Sequence, residues 1–400
     1  MTENVISTER EPGLPTFPEL PPPLAEAVHT VADRARSVSS EAETEGGLPS
    51  SLVDHMREAG LFSLALPREL GGLGARPAAM VDVVAALSAA DPSIGWTTLV
   101  GQTSAFLAWA APEIAERVTE RTPFPIMAGS MAPTGRGTPI PDGDGRLLSG
   151  RWPYNSGCRH ADWYVLSFLD HPAEGDGRPR VLMAVLPSSE ARLVDTWDVM
   201  GLRGTGSDDL IVEGVRVDDA WTFDPFAAPS AYEGPLRGWT FYSFLMAMMA
   251  GFPLGVGERA LAEFTARARD RSRLGTRHRL IEDPLIQADL LRHRTGMRAA
   301  RLLVDEALAT VAEKAAAEGA APPERAALVA AVQHAMRSAT DTVDWAFRSV
   351  GGSAVYTAHP LQGLWRDLVA GGQHIAFGAE AEGRAARCLL GLEENLSHLV

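Results

Sequence analysis

The chain has 400 residues, of which 46% are hydrophobic, so it is long enough for large buried cores and two or three domains. Its formal net charge of −15 argues against nucleic acid or an anionic membrane surface as the main partner. The two cysteines, Cys158 and Cys388, are too few for a disulfide framework and too far apart in sequence for a metal site. We therefore expect free thiols, no bound metal and a reducing, cytoplasmic location.

The first part of the chain is predicted to be helical after an irregular start. Residues 1–23 are proline-rich and polar, which indicates a disordered or extended arm, and they lack the pattern of a secretory signal. Apolar residues then recur at helical spacing through a domain of residues 24–122. We predict helices over residues 24–45, 50–60, 78–90 and 94–110, with Ser93 as the N-cap of the last one.

Residues 123–228 are predicted to form a small β domain. Proline, glycine and aspartate separate short runs of residues that favour extended backbone. We predict strands over residues 146–154, 163–169, 181–186, 192–197 and 210–217.

The remaining domain, residues 229–400, is predicted to be a bundle of long helices. Amphipathic patterns cover residues 239–271, 284–317, 322–350 and 373–392, joined by short breaks. Residues 238–257 carry no charge and approach membrane-spanning length, but Pro253, four glycines and the charged sequence that follows favour a buried bundle helix. Helices, then strands, then helices indicate an α+β fold.

Many of the chemically versatile residues are concentrated in residues 351–378. This stretch holds two glycine pairs, the histidines His359 and His374, and an Arg-Asp dipeptide. Gly351 and Gly352 end the preceding helix and leave the backbone bare for close approach, although a helix cap alone also explains them. No spacing of His, Cys or carboxylates indicates a metal site, and no Rossmann or P-loop fingerprint predicts a nucleotide site.

Five motifs resemble those of the acyl-CoA dehydrogenase superfamily, in the same chain order. They read LPRELGGLGA, DVMGLRGTGSDDLIVEGVRV, RSRLGTRHRLIEDPLIQADL, VGGSAVY and LWRDLVAGGQH, with Leu274 of the third at a position where the family has phenylalanine. The resemblance covers nearly the whole chain after the N-terminal arm. It implies an N-terminal helical domain, a central β domain and a C-terminal four-helix bundle, assembled as a homotetramer.

Within that superfamily, three blocks are similar to the group D flavin monooxygenases, which include dibenzothiophene monooxygenase and steroid-ring and polyketide phenol hydroxylases. These blocks are GRWPYNSGCRHADWYVLS, TWDVMGLRGTGS and HPLQGLWRD followed by a histidine, with Gly363 at the usual arginine. The resemblance implies the oxygenase component of a two-component enzyme. Reduced FMN or FAD would come from a separate flavin reductase by diffusion, and would react with O2 to a C4a-hydroperoxide. Oxygen would then pass to an aromatic, heteroaromatic or amine small molecule, in secondary metabolism or catabolism.

The resemblance also implies the catalytic residues. His374 stands where dehydrogenases carry the glutamate that removes the substrate α-proton. An imidazole suits the deprotonation of a phenol or proton exchange with a flavin hydroperoxide, although a histidine can also simply cap a helix. Asn155 and Ser156 would hold the flavin N5 and O4 edge through side chains and backbone N–H donors, with Ser156 also catalytic. By sequence alone, these two residues could equally be a hairpin turn.

Further residues are implied to contact the cofactor or the substrate. Gly129, Ser130 and Met131 would form a loop along the flavin ring, and Arg271 would reach the cofactor phosphate of a neighbouring subunit. Gly351 and Gly352 would let the cofactor approach the backbone, and the substrate pocket would be lined by Trp96, Phe106 and Phe377. Two alternatives remain open: an FAD-dependent dehydrogenase of acyl thioesters, and a non-catalytic flavoprotein of the same fold.

Overall fold

The N-terminal domain consists of five helices in the computed structural model, which describes residues 20–140, 144–170, 179–272 and 278–393. The helices are α1 (Pro22–Glu45), α2 (Ser50–Glu58), α3 (Pro77–Ala90), α4 (Pro92–Gly101) and α5 (Pro112–Arg121). Most of the predicted N-terminal arm lies outside the described residues. Pro22 and Pro23 belong to the first turn of α1 instead, because that turn needs no N–H from either residue.

Two details of the predicted helices are wrong. The N-cap of α4 is Asp91 and not Ser93, because the Asp91 carboxylate accepts a hydrogen bond from the Ile94 N–H at 3.0 Å. The helix predicted over residues 94–110 is α4 followed by a 3-10 segment, Gln102–Trp109. The Gln102 side chain bonds to the backbone of Leu61 and Ala65, so the start of this segment is held against the loop that follows α2.

The central domain is one seven-stranded sheet, with strand order β5-β6-β2-β1-β3-β4-β7. The strands are β1 (Met127–Pro139), β2 (Arg146–Trp152), β3 (Trp163–Asp170), β4 (Arg180–Pro187), β5 (Arg192–Val194), β6 (Asp209–Val217) and β7 (Thr222–Phe223). The five predicted strands are present, whereas β1 and β7 were missed. The glycine- and proline-rich sequence of β1 has a low strand propensity, and pairing with β2 and β3 on its two sides holds it extended.

The C-terminal domain has three long helices and two shorter ones. These are α6 (Phe241–Asp270), α7 (Pro284–Ala317), α8 (Pro322–Val350), α9 (Pro360–Gly371) and α10 (Ala379–Leu389). The predicted helix over residues 373–392 is wrong at its start, since a 3-10 turn, Ile375–Phe377, precedes α10. The amphipathic helix α9 was missed because it is short and lies between glycine pairs. The α+β arrangement is confirmed.

Helix α6 contains residues 241–257 of the uncharged stretch, all of them buried, and it packs against α3 of the N-terminal domain and α8 of the bundle. A Cβ atom at Gly255 would lie 2.0 Å from the Ala85 carbonyl oxygen of α3, so the absence of a side chain lets the two helices touch. Within the described ranges, no helix has both the length and the apolar character needed to cross a membrane. The glycines of this stretch therefore serve close helix packing.

The Arg-Asp dipeptide of α9 joins all three domains. Arg366 donates to the Met200 carbonyl of the sheet domain and to the Glu43 carboxylate of α1, both at 2.5 Å. The carboxyl group of the neighbouring Asp367 is buried and accepts the Leu202 N–H at 2.6 Å. We call these contacts the α9 clamp. The clamp sets the position of the chain that follows α9, which contains His374.

Candidate active site

The turn that follows β2, residues 154–157, carries the first two predicted site residues. Asn155 is fully buried, and its Nδ2 donates to the carbonyls of Trp152 at 2.6 Å and Asp208 at 3.1 Å. Both amide protons are therefore used. The Asn155 Oδ1 atom is buried and has no partner in the part of the chain that the structure describes.

Three backbone N–H groups of this turn are already bonded inside the protein. The N–H groups of Asn155, Ser156 and Gly157 donate to the carbonyls of Asp208, Tyr154 and Thr205, at 3.1, 3.2 and 2.9 Å. The expected backbone donors are thus already bonded inside the protein. The turn presents hydrogen-bond acceptors instead, the Asn155 amide oxygen and the Ser156 hydroxyl.

The Ser156 hydroxyl lies at one end of a buried chain of hydroxyl groups. Trp96 of α4 donates its indole N–H to Ser156 Oγ at 3.0 Å. Ser156 Oγ is 2.7 Å from Ser207 Oγ, which is 2.6 Å from Thr205 Oγ1. Thr205 Oγ1 donates to the Leu202 carbonyl at 2.8 Å. We call Ser156, Ser207 and Thr205 the hydroxyl chain.

Sequence reasoning missed two members of the hydroxyl chain. Thr205 and Ser207 belong to the motif GLRGTGS, which supported the family resemblance without a role for either residue. The motif itself was the available signal. The contact with Ser156, 51 residues away in the sequence, becomes visible only in the folded chain.

His374 lies close to the indole of Trp96, with ring centroids 5.8 Å apart and planes inclined by 70°. It follows α9 and caps the short 3-10 turn, since its Nδ1 accepts the Ala376 N–H at 3.2 Å. Burial lowers the pKa of the imidazole to about 4, so the ring is neutral at pH 7. With Nδ1 as an acceptor, the ring proton is assigned to Nε2.

The predicted pocket residues fall into two places. Trp96 packs edge-on against Phe252 of α6 at 4.9 Å, and Phe377 is half-buried in the turn after His374. Phe106 lies in a separate aromatic cluster, 4.6 Å from Phe241. Its described ring contacts are with Phe241 and Phe244, and not with Trp96.

Gly129, Ser130 and Met131 lie on strand β1 and not in a loop. Gly129 and Ser130 pair with Val165 and Leu166 of β3, and the register shifts immediately after Ser130. All three residues are half-buried. Irregular pairing of this kind is frequent next to active sites, where it redirects side chains.

Arg271, Gly351 and Gly352 line a cavity of about 440 Å³, together with Ser272, Leu280, Ser349 and Val350. The Arg271 guanidinium also donates to the hydroxyl of Ser353. Gly351 ends α8 with a φ of 81°, as its sequence position predicted. The structure therefore brings these three residues together, in a cavity that Asn155, Ser156 and His374 do not line.

Cys158, next to the turn, is not a redox candidate. Burial raises the pKa of its thiol to about 12, so the reactive thiolate is not formed at neutral pH. The thiol contacts the Gly206 carbonyl at 3.4 Å. Trp163, two strands away, stacks on Trp221 at 5.6 Å and serves packing.

Comparisons with known proteins give consistent matches over most of the chain. Residues 24–121 match the family described as acyl-CoA dehydrogenase, N-terminal domain, and residues 247–379 match acyl-CoA dehydrogenase, C-terminal domain. Indole-3-acetate monooxygenase from Pseudomonas putida is 30% identical, over 87% of this chain and 88% of its own. The FADH2-dependent resorcinol hydroxylase, oxygenase component, from Rhizobium sp. (strain MTP-10005) is 31% identical, over 92% and 94%.

The fold has close counterparts among solved structures. The structure of XiaF from Streptomyces sp. in complex with FADH2 and glycerol has a TM-score of 0.86 to this chain, at 24% sequence identity. The match covers 93% of this chain and 96% of that one. The arrangement of the three domains is therefore shared.

Proposed function

Because the chain belongs to the acyl-CoA dehydrogenase family, with flavin-dependent monooxygenases among its relatives, we propose that it is the oxygenase component of a two-component flavin monooxygenase. Its substrate would be a small aromatic molecule. The observation that carries this proposal is the neutral imidazole of His374 where a dehydrogenase needs a carboxylate. It lies beside Trp96, whose indole N–H in turn bonds to Ser156. The next carboxylates along the chain are Glu380, which is exposed, and Glu382, which pairs with Arg337.

The residues around the turn fit a reduced flavin. The buried Asn155 Oδ1 and Thr97 Oγ1 atoms have no partner within the described ranges, and Thr97 lies beside the turn, next to Gly157. Such unsatisfied polar atoms are costly unless a ligand pairs with them. When bound, a reduced flavin supplies the electrons that activate O2. We propose reduced FMN or FAD as the cofactor, and the FADH2 dependence of the resorcinol hydroxylase favours FAD.

We propose that His374 acts on the oxygen or nitrogen of the aromatic substrate through Nε2. The ring keeps its proton on Nε2 while Nδ1 accepts the Ala376 N–H, so it offers a donor to a phenolate oxygen. Removing a proton from a phenol would require the ring to turn Nδ1 away from Ala376. The hydrogen-bond pattern therefore supports stabilisation of a phenolate more than its formation.

A separate reductase and a homotetramer complete the proposal. The sequence has no nicotinamide fingerprint, which supports delivery of reduced flavin by another protein. Helix α7 exposes four leucines, Leu285, Leu291, Leu302 and Leu303, with exposed fractions of 75, 67, 55 and 42%. Apolar side chains this exposed suit burial against further copies of the chain. In such an assembly, Arg271 and Gly351 would contact the cofactor phosphate of a neighbouring subunit.

The proposal is tested by oxygen incorporation. The purified protein would be supplied with enzymatically reduced FMN or FAD and isotopically heavy dioxygen, with a panel of phenols and indoles. We expect a product that carries the heavy oxygen, and none without the protein. Heavy oxygen absent from every product, with bleaching of bound oxidised FAD by an acyl-CoA, would instead indicate the dehydrogenase. Neither activity, with flavin bound, would indicate the non-catalytic flavoprotein.

A further inference from the structure

We propose that Thr205 and Ser207 are positioning residues that make Ser156 a hydrogen-bond acceptor toward the flavin, and that the site thereby selects reduced over oxidised flavin. This inference rests on the proposed function, because it concerns the cofactor of that same site. It assigns roles to two residues that do not need to touch the cofactor themselves.

The direction of the hydroxyl chain follows from its far end. The Leu202 carbonyl can only accept, so the Thr205 hydroxyl proton is committed to it, at 2.8 Å. The bond between Ser207 and Thr205, at 2.6 Å, must then use the proton of Ser207. The bond between Ser156 and Ser207, at 2.7 Å, must use the proton of Ser156. Each hydroxyl has one proton, so all the hydrogen bonds of the chain run in one direction, from Ser156 toward the Leu202 carbonyl.

The near end of the chain is then an acceptor only. The Trp96 indole N–H can only donate, and it occupies one lone pair of Ser156 Oγ at 3.0 Å. The Ser156 proton points to Ser207, so one lone pair is left for a ligand. Asn155 adds a second acceptor of fixed orientation, because both protons of its amide are bonded to carbonyl groups.

The two redox states of a flavin differ in the hydrogen-bonding group at N5 that would face these acceptors. Reduced flavin carries a proton on N5, whereas oxidised flavin presents a lone pair there. An acceptor attracts the first and repels the second, and a site can shift an equilibrium only through such a difference in affinity. The acceptors therefore retain the reduced cofactor before the reaction and favour release of the oxidised cofactor after it.

The test measures the affinities of the full-length protein for both redox states of the flavin, without reference to turnover. Thr205→Val keeps the side-chain shape but removes the hydroxyl that anchors the chain. The protons of Ser207 and Ser156 can then turn toward the flavin. We expect the ratio of the dissociation constants, oxidised over reduced flavin, to fall about tenfold. The midpoint potential of bound flavin then falls by about 30 mV, the value of a tenfold change for two electrons.

Thr205→Ser is the matched control, because it keeps the hydroxyl and should keep the ratio. Ser207→Ala is the second variant, because it frees the Ser156 proton at the neighbouring link and should lower the ratio in the same way. Titrations would use oxidised FMN and FAD in air and the reduced forms under anaerobic conditions. A ratio that stays at the wild-type value in both Thr205→Val and Ser207→Ala overturns the inference. A wild-type protein that binds no reduced flavin overturns the proposed function instead.

Discussion

At the scale of single residues, the imidazole of His374 has two roles, one structural and one proposed to be chemical. Its Nδ1 caps the 3-10 turn before α10, and its Nε2 is the atom proposed to serve the substrate. These two roles can be separated, because an asparagine can cap the turn with its short amide but has no ring to reach a substrate.

His374→Asn and His374→Ala should both lower kcat on a phenolic substrate about a hundredfold or more, since both remove the imidazole. Only His374→Ala should also lower the free energy of unfolding, by about 1 kcal/mol, because it loses the cap. Steady-state kinetics and thermal unfolding of the three proteins check this. Wild-type turnover in His374→Ala would contradict the role.

The pKa of His374 also predicts a pH dependence of stability. Burial lowers this pKa to about 4, whereas an unfolded chain has a value near 6.5. The unfolded state therefore binds more protons between these values, so stability that is present above pH 6.5 is lost as the pH falls toward 4. Relative to His374→Asn, the wild type should lose unfolding free energy across this window in denaturant titrations. Parallel profiles of the two proteins would contradict the burial of the ring.

At the scale of structural elements, α9 acts through the α9 clamp. Burial, with Asp91 and Glu43 nearby, raises the pKa of Asp367 to about 7, although the Leu202 N–H favours its ionised form. In the folded protein, this carboxyl group is therefore protonated in most molecules below pH 7. Because the clamp holds the sheet domain against the bundle, its ionisation affects the junction of the three domains.

Asp367→Asn should flatten the pH dependence of stability on the alkaline side. An unfolded aspartate ionises near pH 3.8, so the stability that the raised pKa contributes is complete below that value and is lost as the pH rises through 7. An asparagine can still accept the Leu202 N–H but does not ionise. Relative to the wild type, the variant should gain a few kcal/mol between pH 4 and 8, on the order of 1.4 kcal/mol per unit of pKa shift. A constant difference across this range would contradict the assignment.

The contact between α3 and α6 can be tested by a pair of glycine substitutions. Gly255→Ala should lower the free energy of unfolding by about 1–3 kcal/mol, because its Cβ would meet the Ala85 carbonyl. Gly296→Ala, on α7, is the control, since no atom beyond the adjoining backbone of its own helix lies within 4 Å of its added Cβ. That control should gain about 0.5–1 kcal/mol from helix propensity. Urea unfolding compares them, and equal effects would contradict the close packing.

At the scale of the whole molecule, the outer side of α7 should set the oligomeric state. The combined substitution Leu291→Glu and Leu302→Glu places charges among exposed leucines. We expect the proposed tetramer to dissociate to smaller species in light scattering, because burying unpaired carboxylates in an interface is unfavourable. Ser40→Glu, at an exposed position of α1, should leave the mass unchanged. An unchanged mass of the leucine variant would place the interface elsewhere.

Much of this protein could be predicted from local sequence. The helices over residues 284–317 and 322–350 match their predicted bounds. A helical repeat of apolar residues that continues over many turns is a strong local signal. The α+β fold and the flavin-dependent monooxygenase family are confirmed, since their motifs are short and contiguous. The roles of Asn155, Ser156 and His374 remain predictions; the structure places both Ser156 and His374 in contact with Trp96.

Only the tertiary structure decided the features that depend on distant neighbours. Strand β1 is irregular by its own sequence, and two flanking strands hold it extended. In the sequence, Phe106 and Trp96 are both aromatic residues in apolar segments, yet in the structure they lie in different clusters. The polarity of the hydroxyl chain depends on the Leu202 carbonyl, 46 residues beyond Ser156 in the sequence. Local patterns encode the backbone conformation of segments with a strong periodic repeat, whereas the pairing of an irregular strand and the direction of hydrogen bonds depend on which groups the fold brings within reach.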